Sequence, residues 1–211
     1  MSITYMPESK LEPYLHLFAA VELFIFIFMQ IVTKIKPIQR VIFKKAQLTD
    51  YVVFILLFGM FSIFGTYIGI PANYGAISNI RDLAPMVAGL VAGPYVGVAV
   101  GLIGGIHRLF LGGDTCVPCT LATASAGLLG GMVYRLNKGK LLGIIPAMVF
   151  AVGIELLHGG FLLLITRPLI EAIELDLAIL PEMIIAVSLG VGISFVVLHN
   201  TIELEEFVTS A

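Results

Sequence analysis

The chain has 211 residues, of which 59% are hydrophobic and only 12% are charged, and its formal net charge at pH 7 is -2. Soluble domains carry about 25% charged residues, so this composition excludes a soluble enzyme, a nucleic-acid-binding domain and a disordered tail. Two cysteines are too few for a disulfide framework. The composition predicts an all-α, polytopic helical membrane protein that lies in the lipid bilayer and binds no nucleic acid.

Seven apolar segments are predicted to cross the membrane as helices, for which a straight crossing needs about 20 residues. The predicted spans are 14–35, 51–70, 84–93, 95–111, 119–134, 141–166 and 179–199. The first has neither a basic leader nor a small-residue cleavage site, so we interpret it as a retained helix. The fold class is therefore one N-terminal helix plus a six-helix core, with outer loops at 71–83, 112–118 and 167–178.

Segment 84–111 is either one long tilted helix or two helices joined by a turn at Gly93-Pro94. Two short basic loops decide between these, one with Lys34, Lys36, Arg40, Lys44 and Lys45 and one with Arg135, Lys138 and Lys140. Such loops stay in the cytoplasm, and both can do so only if 84–111 crosses twice. Proline disfavours helix at the preceding residue, which favours the turn. We expect a cell-membrane protein with its N-terminus outside and its C-terminus in the cytoplasm.

The same patterns divide the chain into three parts. Residues 1–49 form an N-terminal transmembrane helix and a basic cytoplasmic loop, and residues 50–200 form the membrane core. Residues 201–211 form an acidic cytoplasmic stub with Glu203, Glu205 and Glu206. The chain either is a fragment from which an output domain has been removed or stands alone.

Glycine recurs at every fourth residue of the central segment, at Gly89, Gly93, Gly97, Gly101 and Gly105. Small residues at this spacing form a smooth strip on one helix face, which lets a second helix approach closely. We favour packing within one subunit over dimerisation through this strip.

Polar side chains collect at the outer ends of the core spans, where charged groups are costly and mark functional sites. Arginine binds carboxylates through two parallel hydrogen bonds, and helix N-termini add positive potential. We therefore predict a pocket for a small anion, with Arg81 and Arg108 as its main contacts. The other candidate contacts are Asn79, His107, Cys116, Cys119, Thr120 and Thr123, with Asp82, Asp114, Glu155 and His158 behind them or at the pocket floor; Asn73 and Tyr74 lie in the same outer loop.

Structural roles remain open for several of these residues. Arg81 pairing with Asp82 or Asp114 is one alternative, and Arg108 reaching the lipid headgroups is another. Glu155 and His158, three residues apart on one helix face, either satisfy each other or line the pocket floor. Glu22 and Glu182 are similarly ambiguous.

Other chemistry has little support in the sequence. Cys116 and Cys119 form a C-x-x-C that allows a disulfide or a redox switch, although a thiol lining the pocket is favoured. One such pair does not complete a zinc site. Neither a nucleophile elbow nor a phosphate-binding loop is present, so we expect no catalytic residue, metal or cofactor.

Residues 79–131 resemble the LytS/YhcK-type five-transmembrane receptor domain. The matching motifs are N-x-R-D from Asn79 to Asp82, A-G-L-x-x-G-P from Ala88 to Pro94, His107-Arg108, G-G-x-T from Gly112 to Thr115, and Pro118-Cys119. The Glu155 and His158 pair continues the match, and the similarity covers roughly residues 50–200.

This resemblance implies a non-enzymatic, multi-pass sensory module of a bacterial two-component system. Such modules precede a cytoplasmic histidine kinase or diguanylate cyclase, work with a response regulator and are expected to form homodimers. Some relatives are associated with small organic acids such as pyruvate, which implies Arg81, Arg108 and Cys119 as ligand contacts. Some relatives have a hydroxyl where Ala122 stands here, and residues 1–211 contain no kinase or cyclase domain.

The leading hypothesis is a receptor that binds a small extracellular carboxylate between loops 71–83 and 112–118. Binding would draw Arg81 and Arg108 together and shift the last span, 179–199. The alternative is a solute-binding subunit of a transporter, because the chain also resembles, more distantly, the substrate-binding components of energy-coupling-factor transporters. A membrane redox enzyme built on Cys116 and Cys119 is the least favoured function.

Overall fold

The computed structural model describes residues 8–72 and 76–210, so Asn73 and Tyr74 lie outside the described residues. It contains eight helices and one two-stranded hairpin within those ranges. The elements are α1 (Glu8–Val32), α2 (Lys36–Ile42), α3 (Leu48–Tyr67), β1 (Ile70–Pro71), β2 (Ile77–Ser78), α4 (Leu83–Ala92), α5 (Pro94–Leu111), α6 (Cys116–Leu136), α7 (Ile144–Ile165) and α8 (Leu169–Ser210).

Six of these helices, α1, α3 and α5 to α8, are long and apolar enough to cross a membrane. The prediction of an all-α, polytopic membrane protein is confirmed. The remaining predicted span is α4, whose ten residues reach only about 15 Å at 1.5 Å per residue. Its side chains from Leu83 to Val91 are all buried, so α4 lies inside the bundle rather than against lipid.

A turn at Gly93-Pro94 separates α4 from α5, as the sequence predicts. Gly93 has φ +90°, which a side chain would strain, and Pro94 begins α5, where its missing N–H costs no helical hydrogen bond. The end of α5 returns to the end of α3, because His107 Nε2 lies 3.3 Å from the Tyr67 hydroxyl. Segment 84–111 therefore runs through the bundle and back.

The two basic loops meet at the opposite end of the bundle. A Cβ atom added to Gly139 would lie 3.3 Å from Lys44 Nζ, so the first loop touches the loop after α6. The Arg135 guanidinium lies 5.1 Å from the centre of the Tyr95 ring, beside the α4–α5 turn. This arrangement agrees with the predicted placement of both loops on one side of the membrane.

Two predicted loops are wrong in detail. The first basic loop contains α2, which is fixed to α3 by a hydrogen bond of 2.8 Å from Arg40 Nε to Asp50 Oδ2. The predicted outer loop 167–178 is helical from Leu169 onward, because α8 runs without a break to Ser210. Its first turns bury Ala172, Leu175, Asp176 and Ile179, whose spacing of three and four residues is that of one helix face.

Glycines allow α4, α5 and α6 to pack backbone to backbone within one subunit, as we favoured. A Cβ atom on Gly127 would collide with the Gly97 carbonyl, and one on Gly131 would collide with Pro94. A Cβ atom on Gly101 would lie 2.6 Å from the Thr123 carbonyl oxygen. No side chain fits in these contacts, so α5 and α6 approach as closely as helices can.

Replacing Gly127 with alanine tests this packing. The added methyl group has no space, so Gly127→Ala is expected to destabilise the folded protein by about 1–3 kcal/mol and lower its thermal midpoint in detergent. Gly160→Ala is the matched control, because a Cβ atom there meets nothing within 4 Å. Equal midpoints for the two variants would contradict the backbone contact.

Candidate functional site

Arg81 is drawn into the bundle by the segment between β2 and α4. The Asn79 side chain accepts a hydrogen bond of 2.9 Å from the Arg81 N–H, which closes a local turn. Ser62 on α3 donates to the Arg81 carbonyl at 3.0 Å, and Gly65 leaves room for the Arg81 backbone. Arg81 is completely buried as a result. Its Nε donates to Thr123 Oγ1 at 2.7 Å.

Arg108 reaches the same region from the last turn of α5. It is 1% exposed, its Nη2 donates to Thr115 Oγ1 at 2.9 Å, and its Nη1 donates to the Gly112 carbonyl. The alternative in which Arg108 extends to lipid headgroups is therefore wrong. Thr115 directly precedes α6 and its side chain makes no hydrogen bond to the helix start, so its hydroxyl accepts from Arg108 and the short loop between α5 and α6 holds the guanidinium inside the protein.

One face of α6 presents three side chains in succession, Thr115, Cys119 and Thr123. They are spaced four residues apart, and each is at most 4% exposed. The outer two bind the two guanidinium groups, and the Cys119 thiol lies between them. From the sequence, Thr115 is identified only as part of the G-G-x-T motif. Its spacing of four residues from Cys119 and eight from Thr123 was the available signal.

Helix α7 adds Glu155 and His158 to this cluster. His158 Nε2 lies 3.3 Å from Cys119 Sγ, and His158 Nδ1 lies 2.8 Å from Asp82 Oδ2. Glu155 Oε2 is farther from the same nitrogen, at 3.8 Å, so the two residues do not simply satisfy each other. Neither carboxylate oxygen of Glu155 has a hydrogen-bond partner among the described residues.

Asp82 joins the arginine to the histidine. Its Oδ1 lies 3.5 Å from Arg81 Nε, and the Thr123 hydroxyl shares its proton between this oxygen and the Cys119 carbonyl. The pairing of Arg81 with Asp82, given above as the structural alternative, is thus present. It uses only the Nε side of the guanidinium.

Asp176 on α8 is a further acidic neighbour that the sequence analysis missed, because it placed this residue in a loop. The side chain is 9% exposed and packs on α7, where a Cβ atom on Gly159 would lie 2.8 Å from its Oδ1. Helical spacing with Ala172, Leu175 and Ile179 was the available signal.

Four predicted contacts have other surroundings. Thr120 donates to the carbonyl oxygens of Gly105 and Cys116 and so fastens α6 to α5. The His107 ring lies beside the Tyr67 ring, with ring centres 5.2 Å apart and the ring planes tilted by 57°. Asp114 is exposed, and Cys116 is half-buried. Both cysteines are free, so no disulfide joins Cys116 to Cys119.

A cavity of about 380 Å³ lies beside this cluster, between α1, residues 68–70, residues 78–80 and α8. Its walls are mostly aliphatic, with Asn79 and Glu182 among the few polar side chains. Neither Arg81 nor Arg108 lines it. Glu22 lies near Gly190 on the α8 side, and its carboxylate oxygens are buried with no hydrogen-bond partner among the described residues.

A metal ion has possible ligands in this cluster. One donor atom each from Asp82, Glu155 and His158 lies within 4.8 Å of the others. Two features oppose a cation: Arg81 Nε is 3.5 Å from one Asp82 oxygen, and His158 Nδ1 is 2.8 Å from the other. The absence of a metal stays a prediction.

The comparisons with known proteins agree with this architecture. The family model described as 5TMR of 5TMR-LYT, the LytS-type five-transmembrane receptor, matches residues 35–201. That range begins after α1 and contains α3 to α7 and most of α8, so it includes or overlaps five of the long apolar helices, α3 and α5 to α8. The resemblance given by the motifs in residues 79–131 is therefore confirmed.

Three curated relatives are sensor proteins. The chain is 32% identical to sensor histidine kinase BtsS of Escherichia coli (strain K12) over 161 residues, which are 74% of this chain and 28% of BtsS. It is 38% identical to sensor histidine kinase YpdA of the same organism over 79 residues, 36% of this chain and 14% of YpdA. It is 29% identical to sensor protein LytS of Bacillus cereus over 147 residues, 60% of this chain and 25% of LytS.

The chain thus spans less than a third of the length of these relatives. No solved structure matches it. The fold, the family match and the relatives lead to one conclusion: the chain belongs to the family of LytS-type five-transmembrane receptor domains, the membrane sensory modules of sensor histidine kinases.

Proposed function

We propose that this domain is the receptor for a small extracellular carboxylate that binds the free side of the Arg81 guanidinium. One observation supports this most strongly. Arg81 is completely buried, yet its Nη1 and Nη2 have no hydrogen-bond partner among the described residues. A carboxylate accepts two parallel hydrogen bonds from a guanidinium.

The free-energy cost of burying an unpaired guanidinium favours a ligand over a purely structural role for Arg81. A buried polar group without a partner costs about 1–3 kcal/mol, and a charged group costs more. Asp82 and Thr123 compensate only the Nε side of Arg81. Two unpartnered donors in a buried site are therefore costly unless another group binds them, and the described residues provide none.

Arg108 is the basis of the conformational change that we propose on ligand binding. Thr115 and Thr123, which hold the two arginines, are eight residues and thus about 12 Å apart along α6. A small carboxylate that bound both Arg81 and Arg108 would draw the two guanidinium groups towards each other. Binding would therefore pull the segment before α4 and the end of α5 together, as the sequence hypothesis requires.

Helix α8 is the proposed route to the cytoplasm. It has 42 residues, about 63 Å, which is twice the thickness of a hydrocarbon core of about 30 Å. Asp176 places its outer part against α7, next to His158 of the cluster. The relatives' names support a histidine kinase as the output domain with a response regulator as its partner; a cyclase output and a homodimer are further proposals.

The orientation is part of the same proposal. The Lys- and Arg-rich ends of α1, α2 and α6 would face the cytoplasm by the positive-inside rule. The protein would then lie in the inner membrane of a bacterium, with its N-terminus and its ligand site on the outer side. The alternative of a transporter subunit stays a prediction, and none of the relatives above supports it.

Substitution of either arginine is expected to abolish ligand binding. In a thermal-shift screen of purified protein against acetate, L-lactate, pyruvate and succinate, an acid at 100 times its Kd should stabilise the folded state by about 2.7 kcal/mol. Arg81→Ala and Arg108→Ala should show no such shift. Arg81→Lys keeps the charge but loses the two-pronged geometry, so weaker binding is expected.

Arg167→Ala is the matched control, because Arg167 is exposed at the same end and donates only to backbone carbonyls. It should respond like the unmodified protein. A full shift in a folded Arg81→Ala variant, verified by size-exclusion chromatography and circular dichroism, would refute the anion site.

Orientation can be measured with single cysteines in intact cells. In a Cys116→Ser, Cys119→Ser background, Asp114→Cys should react with a membrane-impermeant maleimide, whereas Lys138→Cys should react only after lysis. Glu205→Cys should behave like Lys138→Cys, because α8 ends on the cytoplasmic side. Labelling of Lys138→Cys before lysis would reverse the proposed orientation.

A further inference from the structure

Three side chains from separate parts of the chain form a continuous line in the cluster: Asp82 before α4, His158 on α7 and Cys119 on α6. The imidazole lies between the other two, with Nδ1 2.8 Å from Asp82 Oδ2 and Nε2 3.3 Å from Cys119 Sγ. Cys119 is 4% exposed, and the other two residues are equally buried. Cysteine, histidine and carboxylate in this order form the arrangement of an activated nucleophile.

The distances favour one arrangement of the protons, in which Nδ1 carries a proton, because a bare nitrogen lone pair would be repelled by the carboxylate oxygen 2.8 Å away. The neutral ring then has its lone pair on Nε2, which faces the thiol. Transfer of the thiol proton to Nε2 gives a thiolate beside an imidazolium, and a thiolate is the reactive form of cysteine.

The surroundings favour this charge separation. Arg81 is held one turn after Cys119, at Thr123, and Arg108 one turn before it, at Thr115. Two guanidinium groups therefore flank the sulfur on both sides. A cysteine that merely fills space needs no histidine, carboxylate or guanidinium neighbours.

A nucleophile next to a carboxylate-binding guanidinium has a specific use. Thr123, which holds Arg81, is one helical turn from Cys119, so a carboxylate bound at Arg81 would have its second carbon close to the thiol. If that carbon belongs to a carbonyl group, it is electrophilic and lies within reach of a thiolate. If it carries a hydroxyl group instead, no addition takes place.

We propose that Cys119 binds the ligand covalently and reversibly, by adding to the carbonyl carbon of a 2-oxo carboxylate. This inference rests on the proposed function. Cys119 Sγ forms a bond to the carbonyl carbon, the carbonyl π electrons move to oxygen, and this oxygen takes the proton from His158 Nε2. Nothing is oxidised or reduced and no group leaves, so the reverse steps release the ligand unchanged.

His158 and Asp82 act in this step through Cys119, as positioning residues. His158 accepts the thiol proton and returns it to the new hydroxyl group. Asp82 holds the ring with Nε2 towards the sulfur. The product of this addition, a thiohemiketal, would also fix the ligand between the two arginines and thereby hold the site closed.

Carbon-13 NMR tests the bond directly. With [2-¹³C]pyruvate and the purified chain in lipid nanodiscs, the ketone signal is expected to give way to that of a tetrahedral carbon bearing oxygen and sulfur. Cys119→Ala should lose this signal, and His158→Gln should weaken it at least tenfold while still binding L-lactate. Cys116→Ser is the matched control and should keep it.

Affinities provide the second readout. The unmodified protein should bind pyruvate and glyoxylate at least tenfold more tightly than L-lactate and glycolate, and Cys119→Ala should bring each ratio close to one. Equal affinities in the unmodified protein, or a tetrahedral signal that survives in Cys119→Ala, would overturn the covalent bond.

The two proposals fail in different ways. If oxo and hydroxy acids bind with equal affinity and Arg81→Ala abolishes that binding, only the covalent bond is overturned. If no acid binds, or if substitution of Arg81 and Arg108 leaves the affinity unchanged, the carboxylate receptor is overturned and this inference with it.

Discussion

The burial of two guanidinium groups inside a membrane bundle is the constraint on which the rest of this structure depends. Arg81 and Arg108 are at most 1% exposed, and an arginine in such a position needs hydrogen-bond acceptors and a counter-charge. Helix α6 supplies Thr115 and Thr123, and the segment before α4 supplies Asp82. The short α4 follows from the same constraint, because residues 76–82 use the remaining depth of the bundle to bring Arg81 inwards.

The close packing of the central helices makes the site rigid on one side and adaptable on the other. Glycines bring the backbones of α4, α5 and α6 into contact, so the inner halves of these helices cannot slide. The rest of the site consists of side chains on short connections, including Asn79 and Thr115, which take no part in those glycine contacts. A ligand that draws the two arginines together would therefore move the outer ends of α4 and α5 and, through His158 and Asp176, the long α8.

Features with a local cause were predictable from the sequence, and contacts that depend on helix register were not. The Gly93-Pro94 turn and the shared side of the basic loops follow from proline geometry and charge, and both agree with the structure. The start of α8 was missed because Glu171, Glu174 and Asp176 lower its hydropathy. Arg81, Arg108 and Cys119 were identified by residue type and motif, but the contact of Asp82 with His158, 76 positions away, depends on how α4, α6 and α7 are rotated.

The distance from the ligand to the arginines tests the central claim most directly. Solid-state NMR on the protein in lipid bilayers, with ¹⁵N-labelled arginine and [1-¹³C]pyruvate, measures the dipolar coupling between the carboxylate carbon and guanidinium nitrogens. We expect a coupling typical of a hydrogen-bonded pair, which is reduced in Arg81→Lys, where only Arg108 remains to couple, and is unchanged in Arg167→Lys. Bound pyruvate without any coupling to arginine nitrogen would contradict it.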